Sequence, residues 1–158
     1  METFTKVHVV ISLIGIASGL IVLFGMLAAQ RFDRWTALFL LSTVATSVTG
    51  FLFPFHGVTP GIVVGIISVV VLGIAIFARY PQHLSGSWRW IYVVSAVVAL
   101  YLNVFVLIAQ LFQKVPQLKE LAPTQSEPPF AIAQLGVLLL FVLLGIVARI
   151  KFRVESRA

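Results

Sequence analysis

The feature that most constrains this chain is a set of five apolar blocks that carry almost no charge. They run over about 7–29, 36–55, 61–78, 90–112 and 130–150. None contains Asp, Glu or Lys, and the only arginine within them is Arg149, one position from an end. A hydrocarbon core of about 30 Å takes roughly 20 apolar residues of α-helix. Four blocks reach that length and the third falls just short of it. Lipid offers the backbone no water, so an isolated extended segment would leave its N–H and C=O groups unpaired. The blocks are therefore predicted as helices, and the chain as an all-α polytopic membrane bundle. It is one domain over residues 1–158, with five transmembrane helices.

Composition agrees. Apolar residues make up 60% of the chain and charged residues 10%. Soluble domains hold about 45–50% and about 25%. The net charge of +6 sits at block edges and forms no basic stripe with interleaved aromatics, so nucleic acid is not an expected partner. Anionic headgroups and topology explain it better. The chain has no cysteine, which removes disulfides, thiolate metal sites and cysteine nucleophiles. Only Lys6 precedes the first block, that block is long for a leader, and no small-residue cleavage site follows it. The first block is thus expected to be a retained helix.

Lys and Arg set the expected orientation. One side of the five helices holds Arg31, Arg34, Arg79, Arg89, Arg149, Lys151, Arg153 and Arg157; the other holds Lys6, Lys114 and Lys119. Eight against three places the first side in the cytoplasm of a bacterial inner membrane. The N-terminus is then outside and the C-terminus inside. Trp35, Trp88 and Trp90 fall at the cytoplasmic ends, as an interfacial belt requires.

Apolar tails give helices no hydrophobic reason to associate, so small residues and hydrogen bonds must do it. The first block carries Gly15-x-x-x-Gly19 and Gly25-x-x-x-Ala29, and the third Gly61-x-x-x-Gly65. The second carries Ser42, Thr46 and Gly50, with Thr43, Ser47 and Thr49 beside them. Such hydroxyls can bond their own i−4 carbonyls and are cheap to bury. The fourth block places Tyr92, Ser95, Ala99, Asn103, Val106 and Gln110 on one stripe. Asn103 lies near mid-membrane, where an amide needs a partner on another helix or a ligand. Tyr101 points roughly the opposite way and also needs a partner for its hydroxyl.

The outer face gathers the remaining polar groups: His8, His56, Gln110, Glu120, Glu127 and Gln134. Each histidine is read either as an interfacial residue bonded to headgroup or water, or as a ligand. As ligands, His8 and His56 would hold a b-type haem, or, with Glu127, a divalent metal. His83 lies in the cytoplasmic connection and is read as a loop residue. Residues 114–122 suit a short interfacial helix with Val115, Leu118, Leu121 and Ala122 on one face. Pro128 and Pro129 suit the first turn of the last helix, with Ser126 or Glu127 as its cap. The same connection can serve as a lid carrying Gln125 and Glu127 toward a ligand.

No carboxylate lies within a block, which argues against proton- or cation-coupled transport. There is no Walker loop, no G-x-S-x-G and no dinucleotide fingerprint. The only aspartate, Asp33, lies on the side opposite His8 and His56, so a Ser–His–Asp site is not expected and the chain is read as lacking catalytic machinery. The stretches Thr46-Ser-Val-Thr-Gly-Phe-Leu-Phe-Pro-Phe55, Trp88-Arg-Trp-Ile-Tyr-Val-Val94, Ala99-Leu-Tyr-Leu-Asn-Val-Phe-Val106 and 122–130 carry a resemblance over most of the chain. The protein resembles a bacterial group of small multi-pass inner-membrane proteins with no assigned activity. A fainter similarity, through His8 and the histidine before Trp88-Arg-Trp90, runs to transmembrane cytochromes of b type and implies haem. The chain departs from that pattern, with Asp33-Arg34-Trp35 where a further histidine is wanted.

Three functions remain open at this point. One is binding of a partner subunit, a second copy or a lipid-like molecule through Tyr92, Ser95, Asn103, Gln110, Gln134 and Glu127. The second is a haem or metal redox role through His8 and His56. The third is a channel or exporter of small solutes.

Overall fold

A computed structural model describes residues 1–54 and 56–152. Phe55, Arg153 and Arg157, which enter the block limits and the charge count above, lie outside the described residues. The elements are α1 (Glu2–Leu27), α2 (Asp33–Phe51), α3 (Pro60–Arg79), α4 (Trp88–Lys114), the short α5 (Pro116–Leu121) and α6 (Pro128–Lys151). The described residues contain no strand. Helices α1, α3, α4 and α6 are long and apolar enough to cross a membrane. The fold is thus that of an all-helical, multi-pass membrane protein.

Helix α2 does not join those four, for a visible reason. It opens on Asp33-Arg34 and carries Thr36, Ser42, Thr43, Thr46, Ser47 and Thr49, which lower its apolar content. Three of the hydroxyls nonetheless find partners within the helix. Ser42 donates to the Leu38 carbonyl at 2.6 Å, Thr46 to Ser42 at 2.8 Å and Thr49 to Ala45 at 2.7 Å. The helix also stops at Phe51, short of the expected Phe55. Pro54 disfavours helical backbone at Phe53 and has no N–H to donate. Helix α3 begins as its sequence asks, with Pro60 in the first turn and the Thr59 hydroxyl accepting from Ile62 N–H at 3.3 Å.

The ends of the long helices gather at two poles. At one, Asp33 at the start of α2 meets Arg79 at the end of α3. There too, Arg89 at the start of α4 donates to the Phe152 and Arg149 carbonyls that end α6, supplying acceptors that α6 cannot use internally with a donor. At the other, His8 meets Thr49, Phe4 lies against Phe53, and Phe112 against Phe130. Consecutive long helices therefore run antiparallel. Helix α4 is the hub, packing on α1, α3 and α6, while α1 also packs on α2.

The core is lopsided. The buried residues of α1 all lie from Gly15 onward and those of α3 from Ser68 onward. In α4 they run from Tyr92 to Leu100, after which only Phe112 is buried. Close packing thus fills the half nearest Arg79 and leaves the His8 half looser. Gly19 is where α1 comes closest to its neighbours. A Cβ there would stand 2.6 Å from Leu100 and 2.8 Å from Phe39. Gly65 is similarly tight against the Phe51 ring, at 2.9 Å, whereas Gly61 meets only Thr59 of its own turn. The first Gly-x-x-x-Gly pair therefore packs helices together, and only half of the second does.

Candidate functional site

The α4 stripe divides into parts with different surroundings. Tyr92 is wholly buried at the basic pole, with its ring 5.0 Å from the Arg79 guanidinium and 5.9 Å from Phe152. Its hydroxyl lies close to Thr36 and Arg79 but has no hydrogen-bond partner among the described residues. Ser95 donates to the carbonyls of Ile91 and Tyr92 in its own helix, which leaves its hydroxyl nothing to offer a ligand as a donor. Gln110 is exposed at the far end. The expected site spanning Tyr92 to Gln110 is therefore not one cavity wall. The two residues differ by 18 positions, or roughly 27 Å along a helix.

Asn103 sits between those extremes and is half-buried. Its amide donates to the Thr43 hydroxyl of α2 across a long 3.4 Å. Gly15 makes the room: a Cβ there would stand 3.2 Å from Thr43 Oγ1, 3.3 Å from Ser42 Oγ and 3.5 Å from Asn103 Nδ2. Three helices thus converge on one polar nook deep in the bundle. Beyond it, no residue of α4 from Tyr101 to Leu111 is fully buried. Tyr101 faces Phe105 and Phe141, with ring centroids at 6.3 and 5.8 Å.

Gln134 of α6 is buried and donates to the Phe105 carbonyl at 3.2 Å, while its Oε1 has no partner among the described residues. Above it the connection closes down on α4: Gln125 donates to the Ala109 carbonyl at 2.6 Å. Gln125 adopts a left-handed backbone, φ 62°, which aims the side chain at that carbonyl. The expected short helix is present as α5, with Ala122 buried just after it and Leu121 exposed.

Glu127 corrects one expectation. It is the N-cap of α6, but its carboxylate does not cap that helix. It turns back and accepts from the Thr124 N–H at 3.1 Å, the Thr124 hydroxyl at 2.9 Å and the Ser126 N–H at 3.2 Å. It is therefore engaged by its own connection. Desolvation, the largest single influence, pushes its pKa up, but these bonds together outweigh it and hold the carboxyl below its ordinary range. A carboxylate stabilised in this way adds stability above its unfolded pKa and loses it as pH falls through the lowered value. The expected result is a connection that loosens in acid and does not in Glu127→Gln. Hydrogen exchange of residues 124–130, compared at neutral and acid pH, checks this.

The histidines stand apart. His8 Nδ1 is 2.7 Å from the Thr49 hydroxyl, and its ring meets Phe53 edge-on at 5.1 Å. Thr49 already donates to Ala45, so the imidazole is the donor of this pair and its Nδ1 carries the proton. His56 is exposed, and His83 lies in a turn at φ 53°. Among the described residues no group of three or more His, Asp or Glu is placed to hold a metal ion.

Sequence reasoning missed the basic pole. Arg79, counted above only as a topological charge, has a side chain 2% exposed. Its Nη2 donates to Asp33 Oδ1 and to the Arg31 carbonyl. Arg31 Nε lies 3.4 Å from the same carboxylate oxygen. The one available signal was that Asp33 and Glu155 are the only acids on a side that holds eight cations.

Comparison with protein-family models, with curated proteins and with solved structures found no match.

Proposed function

We propose that the protein crosses a bacterial inner membrane five times and holds a lipid-like small molecule in the outer half of its bundle. The positions of the helix ends support five crossings. Helix α1 ends, and α2 begins, at the pole where α3 also ends. The chain must reach the opposite pole before α3 can start, and α2, about 28 Å long, is the segment that makes the journey. Its Ser42, Thr46 and Thr49 hydroxyls cost little in lipid because they bond their own helix. The basic pole then faces the cytoplasm, supported by Arg31, Arg34, Arg79, Arg89, Arg149 and Lys151 against Lys6, Lys114 and Lys119.

The observation that carries the ligand reading is Asn103. Among the described residues, this side-chain amide has only a 3.4 Å bond to Thr43, in the half of α4 that the bundle leaves loosely covered. Deep polar groups in membranes are expensive unless partnered. Thr43, Asn103 and the Oε1 of Gln134, unpartnered among the described residues, offer neutral hydrogen bonding, and the surrounding Val, Leu, Ile and Phe offer an apolar wall. An uncharged polar group on an apolar chain suits both. The connection tied down by Gln125 covers the outer end.

A native mass spectrum from mild detergent tests this. The expected result is a bound amphiphile on the wild type that Asn103→Leu loses. An Asn103 that only joins two helices would give equal ligand occupancy in both proteins. Its bond is worth about 0.6 kcal/mol on average in such settings, and up to about 2 kcal/mol.

A further inference from the structure

The basic pole holds more hydrogen-bond donors than the protein answers, and we propose that it binds a phosphate group, from an anionic phospholipid or free in solution. The Arg31 and Arg79 guanidiniums share a single carboxylate oxygen, Asp33 Oδ1. The Arg31 carbonyl accepts from Arg79 as well. That leaves Arg79 Nη1 and Arg31 Nε buried and without hydrogen-bond partners among the described residues. Arg79 is itself almost wholly buried, so the unmet donor is held in place and not lost to water. An unmet buried donor is costly, and a charged one more so.

The other features of the pole point to the same acceptor. The guanidinium of Arg79 reaches the first turn of α2, whose N-cap, Phe32, provides no side-chain cap. The free N–H groups and dipole of that turn favour an anion. Arg34, also in that turn, brings the cations to three against one carboxylate. Asp33 is 70% exposed, so it can swing outward and yield the guanidinium face. A phosphate presents several oxygens and matches the guanidinium fork, which a single carboxylate oxygen does not. Trp35, Tyr80 and Trp90 flank the pole and are exposed, as residues at headgroup level are. The site is distinct from the nook at Asn103 and stands or falls independently of it.

The test titrates the delipidated full chain in neutral detergent with phosphatidylglycerol, phosphatidylcholine or inorganic phosphate, read by native mass spectrometry and by the melting temperature. The expected result is preferential binding of phosphatidylglycerol and a rise in melting temperature. Arg79→Gln should weaken binding about tenfold or more, the loss of one charge-assisted bond. Arg31→Gln, a half-exposed residue, gives the same readout if Arg79→Gln does not fold. Lys151→Gln removes the same charge elsewhere on that side and should bind as the wild type does. Saturation by inorganic phosphate alone would identify the free anion as the ligand. Equal binding of both lipids with no response to phosphate, or equal weakening by Lys151→Gln and Arg31→Gln, would overturn the site.

Discussion

Asp33→Ala is expected to destabilise the bundle by about 3 kcal/mol in a neutral detergent free of anionic lipid, because it strands a buried guanidinium. Arg79 ends α3 almost fully buried between α2 and α4, and Asp33 is its only carboxylate among the described residues. Removing Asp33 leaves that charge desolvated and unpaired. Removing Arg79 is a different event, because Asp33 is largely exposed and water takes over its solvation. Arg79→Leu should therefore cost clearly less than Asp33→Ala, and the double variant should resemble Arg79→Leu. Denaturant or thermal unfolding of the three proteins measures the cycle. Equal losses for the two single variants would mean that the pair behaves as a surface ion pair, worth about 1 kcal/mol or less.

The second large effect is graded along the glycines. Gly19→Ala should cost about 3 kcal/mol, since its Cβ would overlap Leu100 and Phe39 where α1 presses on α2 and α4. Both neighbours are buried and packed on other helices, so neither can give way freely. Gly15→Ala, with its closest contact at 3.2 Å, should cost less. Gly73 and Gly136 have nothing within 4 Å of a modest added methyl. Alanine at either should be neutral or stabilising by up to about 1 kcal/mol, from helix propensity alone. Unfolding of all four variants in one detergent checks the order. A flat series would mean that α1 does not approach its neighbours through Gly19.

The helices were legible because apolar length alone specifies them in a membrane chain. Their ends were less so: α2 stops at Phe51, where Pro54 acts ahead of it, although the apolar run continues. The α4 stripe was visible at helical spacing, but periodicity only says which residues share a face. It does not say that Tyr92 lies in packed core while Gln110 meets the surroundings. Apolar residues run through both halves of the bundle, so apolar content alone does not mark the tight half from the loose one. Asn103 announced its need for a partner, and Thr43 became identifiable only once the fold brought α2 within hydrogen-bond reach of α4. The Asp33–Arg79 pair spans 46 positions, and burial of an arginine at a helix end leaves no periodic trace. Glu127 was recognisable as a cap residue, yet two nearby donors, Thr124 and Ser126, compete for its carboxylate.

The chain has no cysteine, so single cysteines can report the side of the membrane on which each connection lies. The decisive measurement is labelling of Gln30→Cys, Val58→Cys, Ser85→Cys and Ser126→Cys in intact cells with a membrane-impermeant thiol reagent. All four positions are exposed, Val58 by 82%. Five crossings with the basic pole inside predict labelling of Val58→Cys and Ser126→Cys and protection of Gln30→Cys and Ser85→Cys until the membrane is opened. Gln30→Cys and Val58→Cys reacting alike would mean that α2 does not cross, and the reverse pattern would turn the bundle over.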